Sequence, residues 1–320
     1  PSTSDFGEGN GTFDLTTGRK KLYARDARSQ LKGLLPAQLE RINLLLDGGI
    51  RDLFNFGVMS HQVFGLLKTL KPEGTKSFRD WAEIPGMKDP RSGSYRPWGG
   101  PWGRAPKSFE VLYGKETPTQ EDRELGDGDH VGTNSQAVNR IATLYNWVAA
   151  QWPSLPRPST PLGQGKPYGE RETVEWFDSA ALGAKRGYGV FLPPGYDLEE
   201  NAETRYPVLY LLHGYTGEPR QILPSAFLAD TFMKDTDVKL RPMIVIVPSG
   251  ACCFVQRATG ARDCREEDDS GASYVFKADW SRECVGGSFF AGKYEDSLLE
   301  LMNIVDVKYR TLPAEEVTAR

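Results

Sequence analysis

The stretch Tyr206 to Gly217, YPVLYLLHGYTG, constrains this chain more than any other. Val208 to Leu212 is apolar on both faces, which is the pattern of a strand buried in a parallel sheet. It runs straight into His213-Gly214, where the backbone must turn sharply. Such a strand end aims backbone N–H groups at a cleft, where they can stabilise a developing oxyanion. Met243–Val247 repeats the all-apolar pattern and is expected to lie beside it.

Around these strands the C-terminal segment reads as α/β. Thr173–Leu182 and Lys185–Leu192 form an early strand pair, followed by a turn at Pro193 to Tyr196. A helix is expected from Lys293 to Tyr309, with Tyr294, Leu298, Leu301, Met302, Val305 and Tyr309 on one face. Thr311-Leu312-Pro313 ends it. Trp152 to Pro167 is dense in Pro and Gly without apolar period, so it reads as a connector. The expected organisation is therefore residues 1–152, a linker at 153–168, and residues 169–320.

The N-terminal segment is also expected to be α/β. Ile42–Leu46 is a short strand ending in Asp47-Gly48-Gly49. Gly57–Leu70 is a helix with Met59, Val63, Leu66, Leu67 and Leu70 inward, and Ser77–Ile84 is a strand. Pro85 to Asp129 reads as one long loop rich in Gly, Pro and Trp. Asn134–Trp152 is an amphipathic helix with Ala137, Ile141, Leu144, Tyr145, Val148 and Trp152 on one face. No internal repeat is visible.

Composition narrows the partners. The formal net charge is −4, so nothing points to a nucleic acid or an anionic membrane surface. No apolar run approaches the roughly 18 residues of a membrane-spanning helix. Cys252, Cys253, Cys264 and Cys284 share one irregular stretch with no CxxC and no nearby His, which argues against zinc. One or two disulfides pinning that loop are expected, and with them a secreted or periplasmic location. Free buried thiols are the plainer alternative.

Four motifs in order resemble a known family: RGYGVFLPPGYD, RYPVLYLLHGYTG, MIVIVPSG and GKYEDSLLELMNIVDVKYRT. They resemble the first half of the putative-esterase branch of the α/β-hydrolases, which includes esterase D-like S-formylglutathione hydrolases, feruloyl esterases and mycolyltransferases. The resemblance spans Glu170 to Arg320. It implies a mostly parallel sheet with helices on both faces, and an oxyanion hole using the N–H of Tyr215 beside Gly214. The N-terminal segment resembles the second half of the same fold. LLLDGGIRDLF follows the family pattern D-x-G-x-x-D-x-F, which makes Asp52 the triad acid and Asp47 a turn residue. Asp47 as the acid is the alternative. GDGDHVG places His130 where the family carries its general base. Such a triad activates a serine because His removes the hydroxyl proton and Asp fixes the His tautomer.

The resemblance implies a serine carboxylic-ester hydrolase working through an acyl-enzyme, without metal or organic cofactor. Its substrate would be a small-molecule or polysaccharide-linked ester. An acyltransferase of the mycolyltransferase kind and a non-catalytic binding module on a degenerate hydrolase fold are the alternatives. The family's G-x-S-x-G elbow is missing. Ser288, in GGSFFAG, lacks the spacing, and Ser249, in PSGACC, comes one strand early. The chain is therefore expected to be two partial hydrolase units, the middle of a longer tandem protein, and inactive alone. One permuted domain whose halves pair is the other possibility. His61 and His213 read as structural. Trp98 and Trp102, in YRPWGGPW, are candidates for a substrate wall or for the anchor of a lid.

Overall fold

A computed structural model describes residues 26–85, 106–151, 173–213, 219–226, 229–230, 233, 240–250, 254–256, 262–263, 282–284 and 294–313. Their secondary-structure elements fall into two compact units, one holding those up to residue 151 and the other those from residue 173. Among the described residues no helix is long and apolar enough to cross a membrane.

The first unit opens with two short helices, α1 (Ala27–Gly33) and α2 (Pro36–Glu40). Asp26 caps α1 by accepting from the Ser29 N–H at 3.1 Å. The sheet contains β1 (Leu45–Gly49), β2 (Thr75–Phe78) and β3 (Ser108–Tyr113), all parallel, with β3 central. Successive side chains of a strand face opposite ways, and each face has its own helix. Leu46 packs with Phe64 and Leu67 of α3 (Phe56–Leu70). Leu45 lies in the other cluster, with Phe109, Val111, Tyr113 and Trp147 of α5 (Asn134–Ala150). Between β3 and α5 lies α4 (Gln120–Glu124), closed by a capping box from Thr119 and Asp122.

Four expectations need correcting here. The strand expected at Ser77–Ile84 is β2, Thr75–Phe78, and Trp81–Glu83 beyond it forms a turn of 3-10 helix capped by Asp80. The segment from Pro85 to Asp129 is not one loop, because it holds the central strand β3 and α4. The first strand begins at Leu45 and includes Asp47, Gly48 and Gly49, since β3 pairs with those residues in register. The inward face of α3 is centred on Gly57, Phe64 and Leu67, while Met59 and Leu70 are exposed. A close approach sets that rotation. A Cβ on Gly48 would lie 2.5 Å from the Gly57 Cα, so only two glycines let β1 and α3 meet here.

Glu110 explains why β3 hides in the sequence. Its carboxylate is buried, and Oε1 accepts from Ser77 Oγ at 2.7 Å and pairs with His61 Nδ1 at 2.9 Å. A charged residue in mid-strand is tolerated only because donors meet it.

The second unit contains β4 (Thr173–Ser179), β5 (Ala184–Phe191), β6 (Val208–Tyr210) and β7 (Ile244–Pro248) in the order β4-β5-β7-β6. β4, β5 and β7 are successively antiparallel, and β6 runs parallel to β7. After the short helix α6 (Pro219–Ile222), Leu223 packs toward Gly189 on one face of the sheet. The three short strands β8 (Phe254–Gln256), β9 (Arg262–Asp263) and β10 (Arg282–Cys284) pair antiparallel. On the other face α7 (Tyr294–Lys308) buries Leu301 and Val305 against Phe177, Tyr188, Val190, Ile244 and Ile246.

The strand expected at Val208–Leu212 is shorter and less buried than its composition suggests. It stops at Tyr210, its three residues are half-buried, and Leu212 is 65% exposed. Among the described residues β6 pairs on one side only, with β7, so its outer edge is not covered by a strand ladder. A single parallel bridge joins Tyr206 to Thr311 just beyond α7. The four cysteines lie outside the described residues, apart from the backbone of Cys284 in β10.

Candidate active site

The site of interest is built on the C-terminal ends of β1 and β3 in the first unit. After Gly49 the chain turns through Ile50 and Arg51 and is stitched down at once. The Ile50 N–H donates to the Tyr113 carbonyl at 3.0 Å and the Arg51 N–H to the Gly128 carbonyl at 2.8 Å. This turn delivers Asp52, whose carboxylate is buried. Oδ1 accepts from the Phe54 N–H at 2.8 Å. Oδ2 lies 3.1 Å from Nδ1 of His130.

The loop 126–132 brings His130 to that point. Gly126, Gly128 and Gly132 all have positive φ, between 75° and 83°, which lets a seven-residue stretch fold back on itself. An ionised carboxylate only accepts hydrogen bonds, so Nδ1 carries the proton and donates to Asp52. Nε2 is left as the acceptor on an imidazole that is 47% exposed. A neutral histidine held in this tautomer, with Nε2 open, is the arrangement a general base requires.

Asp47 does not share in this pair. It faces the opposite way from Leu46, toward α5, and Arg140 takes both its oxygens, at 2.8 and 2.9 Å. Asp47 is also part of β1, so the turn-residue reading is corrected as well. A second charge pair holds the histidine loop from the other side. Arg51 pairs with the buried Asp127 and donates to the carbonyls of Asp127 and Lys115 at 2.9 and 2.8 Å. Asp127 also accepts from the Lys115 N–H at 2.8 Å and Gln136 Nε2 at 2.7 Å.

Two aromatic rings stand against the imidazole. Phe54 and Phe56 have ring centroids 5.2 and 5.3 Å from that of His130 and 5.8 Å from each other. With Leu53 and Val131 they form an exposed apolar rim. Asn55 between them is in the left-handed region at φ 57°, the only non-glycine so placed among the described residues. Sequence reasoning passed over this rim, although RDLFNF placed three apolar side chains next to Asp52.

The other expected residues divide as follows. Gly214, Tyr215, Trp98, Trp102 and Ser288 lie outside the described residues. His213 Nε2 accepts from the Gly250 N–H at 2.8 Å, which ties the end of β6 to the end of β7. The Ser249 N–H donates to the Gly187 carbonyl at 3.0 Å. His61 sits on α3 against Glu110, on the face of the sheet opposite α5. Among the described residues no cluster of three or more His, Cys, Asp or Glu could hold a metal ion.

The second unit is a mixed α/β layer structure, and its sequence carries the family signal. Residues 179–317 match the family described as Putative esterase, whose fold is that of the α/β-hydrolases. The matched segment is less than half of the chain. Among solved structures, a ferulic acid esterase is similar at 23% identity and a TM-score of 0.28. The likeness covers 44% of this chain and 44% of that one, so the chain spans less than half of that relative's length. No curated protein matches.

Proposed function

We propose that this chain carries the acid–base pair of a serine carboxylic-ester hydrolase, with Asp52 as the acid and His130 as the base. The observation that carries the reading is the 3.1 Å contact between His130 Nδ1 and a buried Asp52 carboxylate, with Nε2 left open. In this scheme Nε2 takes the proton of a serine hydroxyl as its oxygen attacks the ester carbonyl. Backbone N–H groups support the resulting oxyanion, and in the second unit's own sheet that role falls to Tyr215, beside Gly214. His130 then returns the proton to the departing alcohol, leaving an acyl-enzyme. Water repeats the cycle with the same proton path. Asp52 steadies the imidazolium that forms twice in each turnover. The exposed Leu53, Phe54, Phe56 and Val131 would wall the acyl group.

The two units are then the later and earlier parts of α/β-hydrolase sheets. The Tyr206–Thr311 bridge supports this for the second unit, because it starts a parallel ladder on the open edge of β6. No serine of the chain stands in a G-x-S-x-G.

The 320-residue chain alone is accordingly expected to hydrolyse p-nitrophenyl acetate about 10⁶-fold more slowly than a complete serine hydrolase. Initial rates with the wild-type chain and with His130→Ala test this. Fast turnover that persists in Ser249→Ala and Ser288→Ala would mean that the nucleophile has been misplaced.

A further inference from the structure

Arg140 sits on α5 one helical turn after Gln136, and both reach the loop that carries His130. Its guanidinium works in two directions. Nε and Nη2 grip Asp47, which β1 holds in the sheet. Nη1 turns the other way and donates to the carbonyls of His130 at 2.8 Å and Val131 at 3.1 Å. The Tyr113 hydroxyl reaches the same backbone from β3, donating to the carbonyls of Asp129 at 2.8 Å and His130 at 3.1 Å. The Arg140 guanidinium also lies 5.2 Å from the Tyr113 ring centre.

We infer that Asp47, Arg140 and Tyr113 are positioning residues that hold His130 in register with Asp52. The inference rests on reading Asp52 and His130 as the acid–base pair. The imidazole is half exposed, so packing alone does not fix it. What fixes it is its backbone, and that carbonyl accepts from two side chains anchored on β3 and, through Asp47, on β1. A planar guanidinium can serve a carboxylate with one edge and carbonyls with the other, which a lysine ammonium cannot do. Both partners keep the protonation this needs. Burial opposes the charge on Arg140, but the hydrogen bonds it donates to Asp47, together with that carboxylate's charge, outweigh it and hold the guanidinium above its ordinary value. Burial pushes the Tyr113 phenol up to about 12, so at neutral pH it remains a donor. The arrangement matters because a misplacement of about 1 Å in a catalytic group can cost roughly a hundredfold in rate.

The test is ¹⁵N-histidine NMR on the full 320-residue chain, in which His61, His130 and His213 are the three histidines. The wild type is expected to show His130 in the Nδ1–H tautomer alone. In Arg140→Met that pure tautomer is lost to a mixture, while the His61 and His213 signals stay put. Asp47→Asn moves His130 the same way, and Arg140→Lys restores it only in part. Trp147→Phe removes another hydrogen bond of α5, from Nε1 to the Lys107 carbonyl at 2.9 Å, and is expected to leave His130 unchanged. A folded Arg140→Met with the wild-type His130 spectrum overturns the inference. So does a Trp147→Phe that disturbs His130 equally. Should Arg140→Met fail to fold, Asp47→Asn and Arg140→Lys carry the same comparison. A wild type without the Nδ1–H tautomer would instead sink the acid–base reading itself, which keeps the two failures apart.

Discussion

Arg51→Met is expected to cost about 3 kcal/mol of stability, the low end of what breaking a buried ion pair costs. Asp127 is the reason. Its side chain is only 7% exposed, and Arg51 is its charged partner in the loop contacts described. Removing Arg51 strands a buried carboxylate, although the Lys115 N–H and Gln136 Nε2 still reach it and keep the cost from rising further. Two carbonyls, of Asp127 and Lys115, lose their donor as well. Urea unfolding of the first unit's transition measures this. If the penalty comes from the stranded charge, adding Asp127→Asn to Arg51→Met recovers part of it, and the two changes are not additive. A loss below about 1 kcal/mol would mean that the pair behaves like an exposed one.

Gly49→Ala is expected to be at least as damaging, about 3 kcal/mol, through overpacking rather than charge. A Cβ there would lie 2.5 Å from the Asp129 carbonyl oxygen and 2.6 Å from the Gly128 carbonyl carbon. Both obstacles are backbone, so no side chain can swing aside. Gly49 is itself held in register against Tyr113 by the parallel ladder. The histidine loop would have to move, and the His130–Asp52 contact would be lost with it. Gly65→Ala is the control. That helical position has nothing within 4 Å of an added Cβ, so alanine there should stabilise by about 0.8 kcal/mol through helix propensity. Equal behaviour of the two variants in thermal melts would contradict the close approach at Gly49.

The parts of the fold that announce themselves in the sequence are those with uninterrupted apolar logic. β7 is apolar from Ile244 to Val247 and was legible, as was α7 with Leu301 and Val305 at helical spacing. The central strand β3 was not, because Glu110 breaks its apolar run and only the folded chain shows His61 and Ser77 meeting that carboxylate. The rotation of α3 was hidden too. Periodicity gives the width of an apolar face but not which neighbour sets its phase, and here two glycines on different elements set it.

The site shows the same division. The contact between Asp52 and His130 joins two residues that a motif singles out, whereas the hold of Arg140 on Asp47 depends on the pleat of β1. Strand alternation turns Asp47 toward α5, where Arg140 occupies it, and the turn after Gly49 is what frees Asp52 for His130. Arg140 looked like one polar position of an amphipathic helix. Its meaning depends on a partner 93 residues away, and such a spacing has no periodic signature.

The most direct measurement is labelling with a fluorophosphonate serine probe, mapped by mass spectrometry. It would be applied to this chain and to any longer form of the protein, each with and without His130→Ala. Expected is no labelled serine within residues 1–320. In any longer form of the protein that carries a G-x-S-x-G, the serine paired with His130 should be labelled, and its labelling should fall by about 10⁶-fold with His130→Ala, the scale on which a triad loses function with its histidine. A labelled serine inside residues 1–320, or labelling everywhere indifferent to His130, would contradict the assignment of Asp52 and His130 as the acid–base pair of a serine esterase.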